Sequence, residues 1–374
     1  MMAAPAPHSG IDQWADAATE PPPRGGTMRV FPDRLRHNAD VLRRTYGPQV
    51  IAVIKGDGYG LGLVTCAAVF ASAGIRVMAV GSIVEAALVR AAGLDVRLIV
   101  LDSDGLDLPS ADVHVEWLVG QVEMARLVAR DVTGSRLHIH VDIDFGVGRG
   151  GVPSDQADGT LAALLHHPGI RIVGLAGQLP ANPSDDAVRT ALTTLNRLRH
   201  RCPEAIAHLG GSDVLRWHRP ARSAWVRIGR PLYGIMPRTL HAGDGMSVVP
   251  AWAWQAGATA YKAAPSVGYR SAPPPDGTPV RLGVGYADGL PPQAAGHWPV
   301  LVDGHRYTIH EVFMLSSIAY PAGDELPPRV SGTALLSGRY DRYCLPARQI
   351  AESLGVATTA VLMCPRSRRE VATG

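Results

Sequence analysis

A lysine that closes an apolar run is the first residue of this sequence whose type and position could do chemistry. Lys55 ends QVIAVIK and is followed by the glycine-rich stretch GDGYGLG. At the end of a buried strand, low-dielectric surroundings favour the neutral amine, which can form an imine. The alternative is a strand-end lysine that extends its charge into solvent. The glycines that follow match neither a Walker nor a dinucleotide-binding pattern.

Two arginines lie in comparable settings. Arg149 stands in VDIDFGVGRGG, where it could clamp a carboxylate with two hydrogen bonds, or remain a solvated loop residue. Arg227 lies within the apolar segment WVRIGRPLYG, and a buried arginine needs a partner, which a structural ion pair would also provide. Gly229 and Arg230 follow it and could offer backbone N–H groups and a charge to a phosphate.

Two tyrosines are placed among glycines further along the chain. Tyr269 lies in SVGYR and Tyr286 in GVGYADGL. A tyrosine becomes a useful acid or base when neighbouring cations make its phenol more acidic. The alternative for each is a buried, hydrogen-bonded phenol.

The elements that would position these residues alternate between strand and helix. Short β-branched runs followed by amphipathic stretches predict βα units and a parallel sheet. Strand-like segments occupy residues 28–31, 49–55, 77–82, 96–101, 136–143, 170–177, 204–211 and 225–234. Helices are expected at 35–47, with Asp33 as N-cap, and at 61–74, 83–93, 123–131, 161–169 and 186–200. About eight strands suit a (β/α)8 barrel of the TIM type, although a doubly wound sheet shows the same alternation.

The chain divides into three parts. Residues 1–27 are rich in alanine, proline and glycine and predict a flexible tail. Residues 28–245 would form the barrel that carries Lys55, Arg149 and Arg227. Residues 246–374 change to short, turn-punctuated β segments and predict a second, mostly β domain with one helix near ARQIAESLG.

Composition excludes several classes of function. The 374 residues are 46% hydrophobic and 18% charged with a net charge of +3, so a large core can form and no basic stripe marks a nucleic-acid surface. No apolar run reaches the roughly 18–20 residues of a membrane span, and no secretory signal pattern opens the chain. The four cysteines lie far apart without CxxC or zinc-type spacing, which indicates a reducing cytoplasm and no metal site.

Taken in order, these segments resemble the motifs of the alanine racemase family. VIKGDGYGLG, GSIVEAALVRAAG, VDIDFGVGRGG, WVRIGRPLYG, SVGYR, GVGYADGLP and the Met314 segment follow one another at family-like spacing between residues 28 and about 370. The resemblance implies a pyridoxal 5′-phosphate (PLP) enzyme with a TIM barrel, a β domain and active sites shared across a homodimer. Its substrate would be an amino acid, which is a small molecule.

The resemblance assigns a role to individual positions. Lys55 would hold PLP as a Schiff base and act as one catalytic base, and Tyr269 of the partner subunit would be the opposite base. Arg227, supported by His208, would donate to the pyridine nitrogen and keep it unprotonated. The remaining assignments are Tyr59, Ser212, Gly229 and Arg230 for the phosphate, Arg149 and Met314 for the substrate carboxylate, and Tyr286 for the entrance.

Several positions depart from the family's pattern. They are His140 in place of a lysine, Gln178 in place of a histidine, Gly211 in place of an asparagine, Leu315 in place of an acidic residue, Ala360 in place of a tyrosine, and two extra residues, Asp144 and Phe145, in the arginine loop. Losing the phenol at Ala360 would remove a phosphate contact and open space, and Arg230 would compensate. Because the catalytic pair is retained, these changes predict racemisation of an amino acid other than alanine, one that is larger or differently charged.

Two other functions fit the same residues. One is a different PLP reaction, such as decarboxylation, aldol cleavage or elimination, although an arginine at the pyridine nitrogen weakens the electron sink that these reactions need. The other is a protein that binds PLP or an amino acid without catalysis, for which a second base such as Tyr269 would serve no purpose.

Overall fold

The computed structural model describes residues 25–101, 114–120, 136–218, 224–237, 240, 246–262, 266–268, 274–323 and 331–372. Most of the predicted tail, the helix expected at 123–131 and Tyr269 lie outside these ranges. Within them, no helix is long and apolar enough to cross a membrane.

Two sheets and a set of surrounding helices make up the described residues. The strands are β1 (Thr27–Val30), β2 (Val50–Val53), β3 (Val77–Val80), β4 (Arg97–Val100), β5 (Glu116–Val119), β6 (Leu137–Asp144), β7 (Val152–Pro153), β8 (Ile170–Gln178), β9 (Ile206–Gly210), β10 (Trp225–Ile228), β11 (Trp252–Ala260), β12 (Val280–Leu282), β13 (Pro299–Val302), β14 (His305–Val312), β15 (Ser317–Pro321), β16 (Ser331–Tyr340), β17 (Tyr343–Leu345) and β18 (Arg368–Val371). The helices are α1 (Pro32–Tyr46), α2 (Leu63–Ser72), α3 (Ile83–Ala91), α4 (Ala157–Leu165), α5 (Asp185–Arg199), α6 (Leu215–His218), α7 (Ala347–Leu354) and α8 (Thr358–Met363).

The first sheet is a closed parallel barrel. In the described residues its eight strands follow the order β2, β3, β4, β5, β6, β8, β9 and β10, and each pairs in parallel with the next. The ring closes where Val226 of β10 lies opposite Val50 of β2. This closure confirms the predicted barrel and excludes the doubly wound sheet, which would have two open edges.

The predicted set of eight barrel strands contains one error. Thr27–Val30 pairs with β11 and with β18, so it belongs to the second sheet and not to the barrel that was expected to begin at residue 28. The missing barrel strand is Glu116–Val119, which sequence analysis overlooked. A β-rich run predicts a strand, but it does not say which sheet that strand joins.

Strand alternation separates the helix-facing core from the barrel interior. In β6 the residues at positions 137, 139, 141 and 143 are apolar and buried in the main core. Successive side chains of a strand point to opposite faces, so His140 and Asp142 face the interior of the barrel. Polar side chains of the interior therefore come from alternate positions of otherwise apolar strands.

The second sheet builds the mostly β domain that was predicted. Its order is β17-β16-β13-β14-β15-β12-β11-β1-β18, antiparallel except for the β1–β18 pair. Trp252, Trp254 and Trp298 are fully buried in it, and each such side chain removes about 150–250 Å² from water. The ring centroids of Trp254 and Trp298 lie 5.7 Å apart in an edge-to-face arrangement.

Helix ends follow local sequence signals with two differences from expectation. Helix α1 has Phe31 as its N-cap and Pro32 at its first position, so Asp33 lies in the first turn and is not the cap. The predicted helix near residues 347–355 is present as α7, and a second short helix, α8, follows it. This second helix carries the C-terminal residues that reach the barrel.

Candidate active site

A cavity of about 480 Å³ lies at the carboxyl ends of the barrel strands, where α8 approaches the barrel. Loops that follow β2, β4, β6, β8, β9 and β10 all contribute to its wall, as expected for the functional end of a parallel barrel. The lining residues used below are Lys55, Tyr59, Arg149, Gln178, Ser212, Asp213, Arg227, Gly229, Arg230, Val356, Ala357, Thr358 and Thr359.

Lys55 opens a left-handed turn immediately after β2. Asp57 and Tyr59 have φ values of 55° and 56°, which costs about 1–2 kcal/mol for each such non-glycine residue. The Glu85 carboxylate compensates by accepting the N–H groups of Asp57 and Gly81, both at 2.7 Å. Glu85 therefore holds the turn that presents Lys55 to the cavity.

Tyr59 ends the same turn and also lines the cavity. A Cβ at Gly229 would collide with the Tyr59 hydroxyl, so this glycine lets the phenol lie against the backbone after β10. The Tyr59 and Tyr233 rings pack with centroids 4.5 Å apart. Burial raises the pKa of Tyr59, an effect that the charge of Arg230 opposes. The phenol is therefore a hydrogen-bond donor at neutral pH.

Ser212 and the backbone of Gly229–Arg230 form the wall nearest to Tyr59. Ser212 is buried and begins the 3-10 turn Ser212–Val214, while Arg230 begins the turn Arg230–Tyr233. The Arg230 guanidinium lies 2.8 Å from the Asp213 carboxylate. The Asp213 carboxylate therefore balances the charge of Arg230 at this wall, and the expectation that Arg230 compensates for a lost phosphate contact stays a prediction.

Arg227 is the buried cation of the site, with 5% exposure. Its Nη1 lies 2.8 Å from His208 Nδ1, and its Nη2 lies 3.4 Å from the Gly177 carbonyl. A Cβ at Gly210 would collide with the guanidinium, so the glycine makes room for it. Burial lowers the pKa of Arg227 and the Asp142 carboxylate opposes the shift, but an arginine remains protonated.

Gln178 joins the two arginines that were singled out from the sequence. Its Oε1 accepts from Arg149 Nη2 at 2.6 Å and lies 3.4 Å from Arg227 Nη2. Arg149 is exposed and reaches the cavity from the glycine-rich loop, whose Asp144 carboxylate accepts the N–H groups of residues 146–148. In the sequence, Gln178 stands out only as a departure from the family's pattern; its position at the end of β8 is the signal for this role.

Below Arg227, the polar contacts continue into the barrel. His208 Nε2 lies 2.8 Å from His140 Nδ1, and His140 Nε2 lies 2.7 Å from Glu116 Oε2. Both histidines have 0% exposure. The sequence marked His140 as an unusual residue and did not identify Glu116, whose only signal was a charge at the start of the short run EWLV.

Comparisons with known proteins agree with this architecture. The family model described as "Alanine racemase, N-terminal domain" matches residues 30–237, more than half of the chain. The chain belongs to the alanine racemase family. It is 31% identical over 283 residues to a catabolic alanine racemase of Pseudomonas putida, covering 73% of this chain and 78% of that protein. An alanine racemase of Yersinia pestis is 29% identical over 366 residues, covering 92% and 98%.

Solved structures of the alanine racemase family share the fold. An alanine racemase from a D-cycloserine-producing Streptomyces lavendulae superposes with a TM-score of 0.80 at 22% identity, covering 95% of this chain and 98% of that one. One from Bacillus anthracis with bound L-Ala-P gives 0.79 at 22%, covering 94% and 96%. The barrel with its β domain is therefore the fold of this family.

The cavity fits the cofactor that the family implies. Lys55, Tyr59, Ser212, Arg227, Gly229 and Arg230 all line it, and His208 contacts Arg227 from below. An amine, hydroxyl and backbone donors, and a buried guanidinium are thus placed around one space. This set can accept a phosphorylated pyridine aldehyde.

Two predicted residues of the alanine racemase pattern lie elsewhere. Tyr286 and Met314 are 38% and 54% exposed on the β domain, and neither is among the described lining residues of the cavity. Their segments adjoin, because the Tyr286 and Ala287 N–H groups donate to the Phe313 and Met314 carbonyls. Together with Leu315, 57% exposed, we call Tyr286 and Met314 the β-domain rim.

The expected opening of the site at Ala360 stays a prediction. Ala360 is exposed and absent from the described lining of the cavity, whereas Thr358 and Thr359, earlier in α8, belong to that lining. Neighbouring helix positions point in different directions, so Thr358 and Thr359 can line the wall while Ala360 does not. The cavity wall here is formed by threonine hydroxyls and methyl groups.

Proposed function

We propose that this protein is a PLP-dependent amino-acid racemase that moves a proton at Cα between two bases. The observation that supports it best is the placement of Lys55 and buried Arg227 in one cavity at the functional end of the barrel. When bound, PLP makes the Cα–H of an attached amino acid acidic. The four cysteines are free thiols, as the proposed cytoplasmic location requires.

Each side of the cavity has a distinct task in this proposal. Lys55 would hold the cofactor and accept or return the proton on one face. Arg227, charged and held by His208, would face the ring nitrogen and keep it free of a proton. Ser212, Tyr59 and the backbone of Gly229–Arg230 would bind the phosphate with hydrogen bonds. Arg149, oriented by Gln178, would bind the substrate carboxylate.

The second base would come from another copy of the chain. Tyr269 is the base expected opposite Lys55, and its neighbour Gly268 packs against the Glu311 side chain of the β domain. The β-domain rim lies on the same domain and outside the described wall of the cavity. A homodimer in which the β domain of one subunit covers the barrel of its partner would bring Tyr269, Tyr286 and Met314 to the substrate.

The substrate would be an amino acid larger than alanine. Of the described residues that line the cavity, only Tyr59 is aromatic, and the wall contributed by the C-terminal region consists of Val356, Ala357, Thr358 and Thr359. Small side chains on this wall leave room that a bulky side chain would fill. The relatives are named alanine racemases, so alanine is the reference against which this preference is measured.

The cofactor is tested by the visible absorbance of protein incubated with PLP and then dialysed. We expect a retained band in the wild type and none in Lys55→Ala. Lys55→Arg is the matched variant, because it keeps the charge but cannot form an imine. A band that survives dialysis in Lys55→Ala would disprove the assignment of Lys55.

The reaction is tested by incubating amino acids of increasing size in D₂O and measuring deuterium at Cα. Racemisation predicts deuterium in both enantiomers, with larger amino acids labelled faster than alanine. Loss of carboxylate or of the side chain would instead support a different PLP reaction. If alanine is labelled fastest, the preference for a larger substrate is wrong while racemisation stands.

A further inference from the structure

A continuous series of hydrogen bonds crosses the interior of the barrel beneath the cavity. It runs from Arg227 through His208 and His140 to Glu116, with separations of 2.8, 2.8 and 2.7 Å between the bonded atoms. Glu116 is held in turn by Arg97, whose Nε and Nη2 lie 2.9 and 3.0 Å from its two oxygens. Each of these side chains comes from a different strand, β10, β9, β6, β5 and β4.

The two ends of this series determine the direction of every donor in it. An arginine only donates, so His208 Nδ1 must accept from Arg227 and its Nε2 must carry the proton. His208 Nε2–H then donates to His140 Nδ1. Because Nδ1 of His140 accepts this bond, the single N–H of the neutral His140 ring is on Nε2. An ionised carboxylate only accepts, so His140 Nε2–H donates to Glu116 Oε2. Both ends therefore require the same Nε2–H tautomer of both histidines.

The surroundings keep the two imidazoles neutral and fixed. Both histidines are fully buried, and burial lowers the pKa of His140 and of His208. For Glu116, burial acts to raise the pKa, but hydrogen bonds from His140 and Arg97 outweigh it and bring the pKa below its usual value. A Cβ at Gly174 would collide with the His140 ring, so the barrel wall is shaped around this side chain.

We propose that His140 and Glu116 are positioning residues for Arg227. They fix the tautomer and the ring orientation of His208, which accepts a hydrogen bond from Arg227 Nη1. The rest of the guanidinium is then directed at the cavity. The part of this inference that concerns the cofactor ring rests on the proposed function; the tautomers of the two histidines do not.

The geometry separates this role from simple packing. Apolar residues could fill the barrel interior without the desolvation cost of four polar side chains. The series also ends at Arg227, the one buried cation among the described lining residues of the cavity. A residue that only fills space would affect every ligand of the cavity, whereas His140 and Glu116 should affect only ligands that contact Arg227.

The first test measures tautomers in the cofactor-free protein. Long-range proton–nitrogen NMR spectra distinguish a protonated ring nitrogen from a bare one, and His140→Asn and His208→Asn assign the signals. We expect both histidines to be neutral and protonated on Nε2 at neutral pH. A Nδ1–H tautomer or a doubly protonated ring at either position would overturn the proposal whether or not PLP binds.

The second test compares two ligands that share the phosphate but not the ring. Pyridoxine 5′-phosphate has the pyridine ring without the aldehyde, so its binding does not require an imine at Lys55, and inorganic phosphate probes the phosphate wall alone. We expect His140→Leu to weaken binding of pyridoxine 5′-phosphate about tenfold and Glu116→Gln, which still accepts but lacks the charge, about threefold. Binding of inorganic phosphate should not change.

The control has the same chemical change away from the barrel interior. Glu204→Gln removes the charge of a glutamate that is exposed and paired with Arg171 at the surface, 3.0 Å away. It should bind both ligands as the wild type does. Should His140→Leu not fold, His140→Asn replaces it, because its carbonyl keeps an acceptor for His208 while its shorter side chain no longer reaches Glu116.

The outcomes separate the two proposals. Unchanged binding of pyridoxine 5′-phosphate in folded His140→Leu overturns the positioning role. Equal weakening of both ligands also overturns it, since that result indicates general distortion. If wild-type protein binds no pyridoxine 5′-phosphate, the proposed function fails, and the NMR tautomers still decide whether the series is organised as inferred.

Discussion

The cavity at the end of the barrel and the β-domain rim differ in how completely one chain builds them. Around Arg227, the guanidinium contacts side chains and a carbonyl of the same barrel in the part of the chain that the structure describes. On the rim, Tyr286, Met314 and Leu315 are exposed, with backbone hydrogen bonds to hold their loops. A cofactor site can be preorganised by one chain, whereas an exposed apolar rim gains a defined environment when another surface covers it.

The proposed difference between the cavity and the β-domain rim requires that Lys55 and Tyr269 of one active site come from different chains. Lys55→Ala and Tyr269→Phe should each lower racemisation about 10²–10⁴-fold, because each removes one base. In mixed dimers, one site of the two would contain both mutations and the other neither. Random mixing of the two variants should therefore restore about one quarter of the wild-type activity.

A control distinguishes activity restored in mixed dimers from activity of contaminating wild-type enzyme. The double variant Lys55→Ala/Tyr269→Phe, mixed with Lys55→Ala, can form no intact site in any arrangement and should remain inactive. If Tyr269 acts within its own chain, the first mixture also remains inactive, and the proposed division between barrel and rim is wrong.

The next prediction compares two adjacent residues of α8. Thr359 belongs to the cavity wall and Ala360 is exposed. Thr359→Tyr should occupy part of the cavity and lower kcat/KM for larger amino acids about tenfold or more relative to alanine. Ala360→Tyr adds the same phenol outside the wall and should leave the ratio unchanged. Equal effects of the two variants would mean that residue 360 lines the cavity as Thr359 does, which contradicts the structure.

A smaller effect is expected from the residue between the arginines. Gln178→Leu removes the acceptor at 2.6 Å from Arg149 and frees that side chain. We expect KM for the amino acid to rise about fivefold to tenfold, the loss typical of a hydrogen bond to a charged group, with a smaller change in kcat. Gln178→Glu keeps an acceptor and should stay near the wild-type KM; a change in kcat alone would contradict the role in substrate binding.

Much of the fold could be predicted because its signals are local. Strand and helix alternation gave the barrel, and the ordered motifs gave Lys55, Arg227 and Gly229, which the structure brings into one cavity. The exceptions have physical reasons. The four-residue strand Glu116–Val119 is too short to show alternation, and Thr27–Val30 reads as a strand in either sheet.

The contacts within the site were harder to predict. Arg227, His208, His140 and Glu116 are far apart in sequence, and only the closure of the barrel brings their strands together. His140 was noticed as an unusual residue, but its partners depend on strand register, which composition does not set. The lining role of Thr358 and Thr359 could not be predicted for a similar reason, because a short motif does not determine which helix position faces the cavity.

The smallest expected effect is on the pH dependence of stability, which reports whether His140 is protonated inside the barrel. Burial lowers the pKa of His140 below its ordinary value of 6.5, so the folded state resists a proton that the unfolded state accepts. A histidine with a lowered pKa stabilises the fold above the pKa of the unfolded state, and this contribution is lost as pH falls below it. The free energy of unfolding should therefore decrease on acidification below pH 6.5, by up to about 1.4 kcal/mol per pH unit for this residue.

The measurement is the difference between wild type and His140→Asn in urea unfolding at a series of pH values. His208, whose pKa is also lowered by burial, contributes to both proteins, and so does Asp142, whose pKa burial raises and whose effect on stability is opposite. The wild type should lose stability more steeply than the variant between pH 6.5 and about 5. His166→Asn, at an exposed position after α4, should keep the wild-type slope. Equal slopes in wild type and His140→Asn would mean that His140 takes up a proton inside the barrel, which the hydrogen bonds to His208 and Glu116 do not allow.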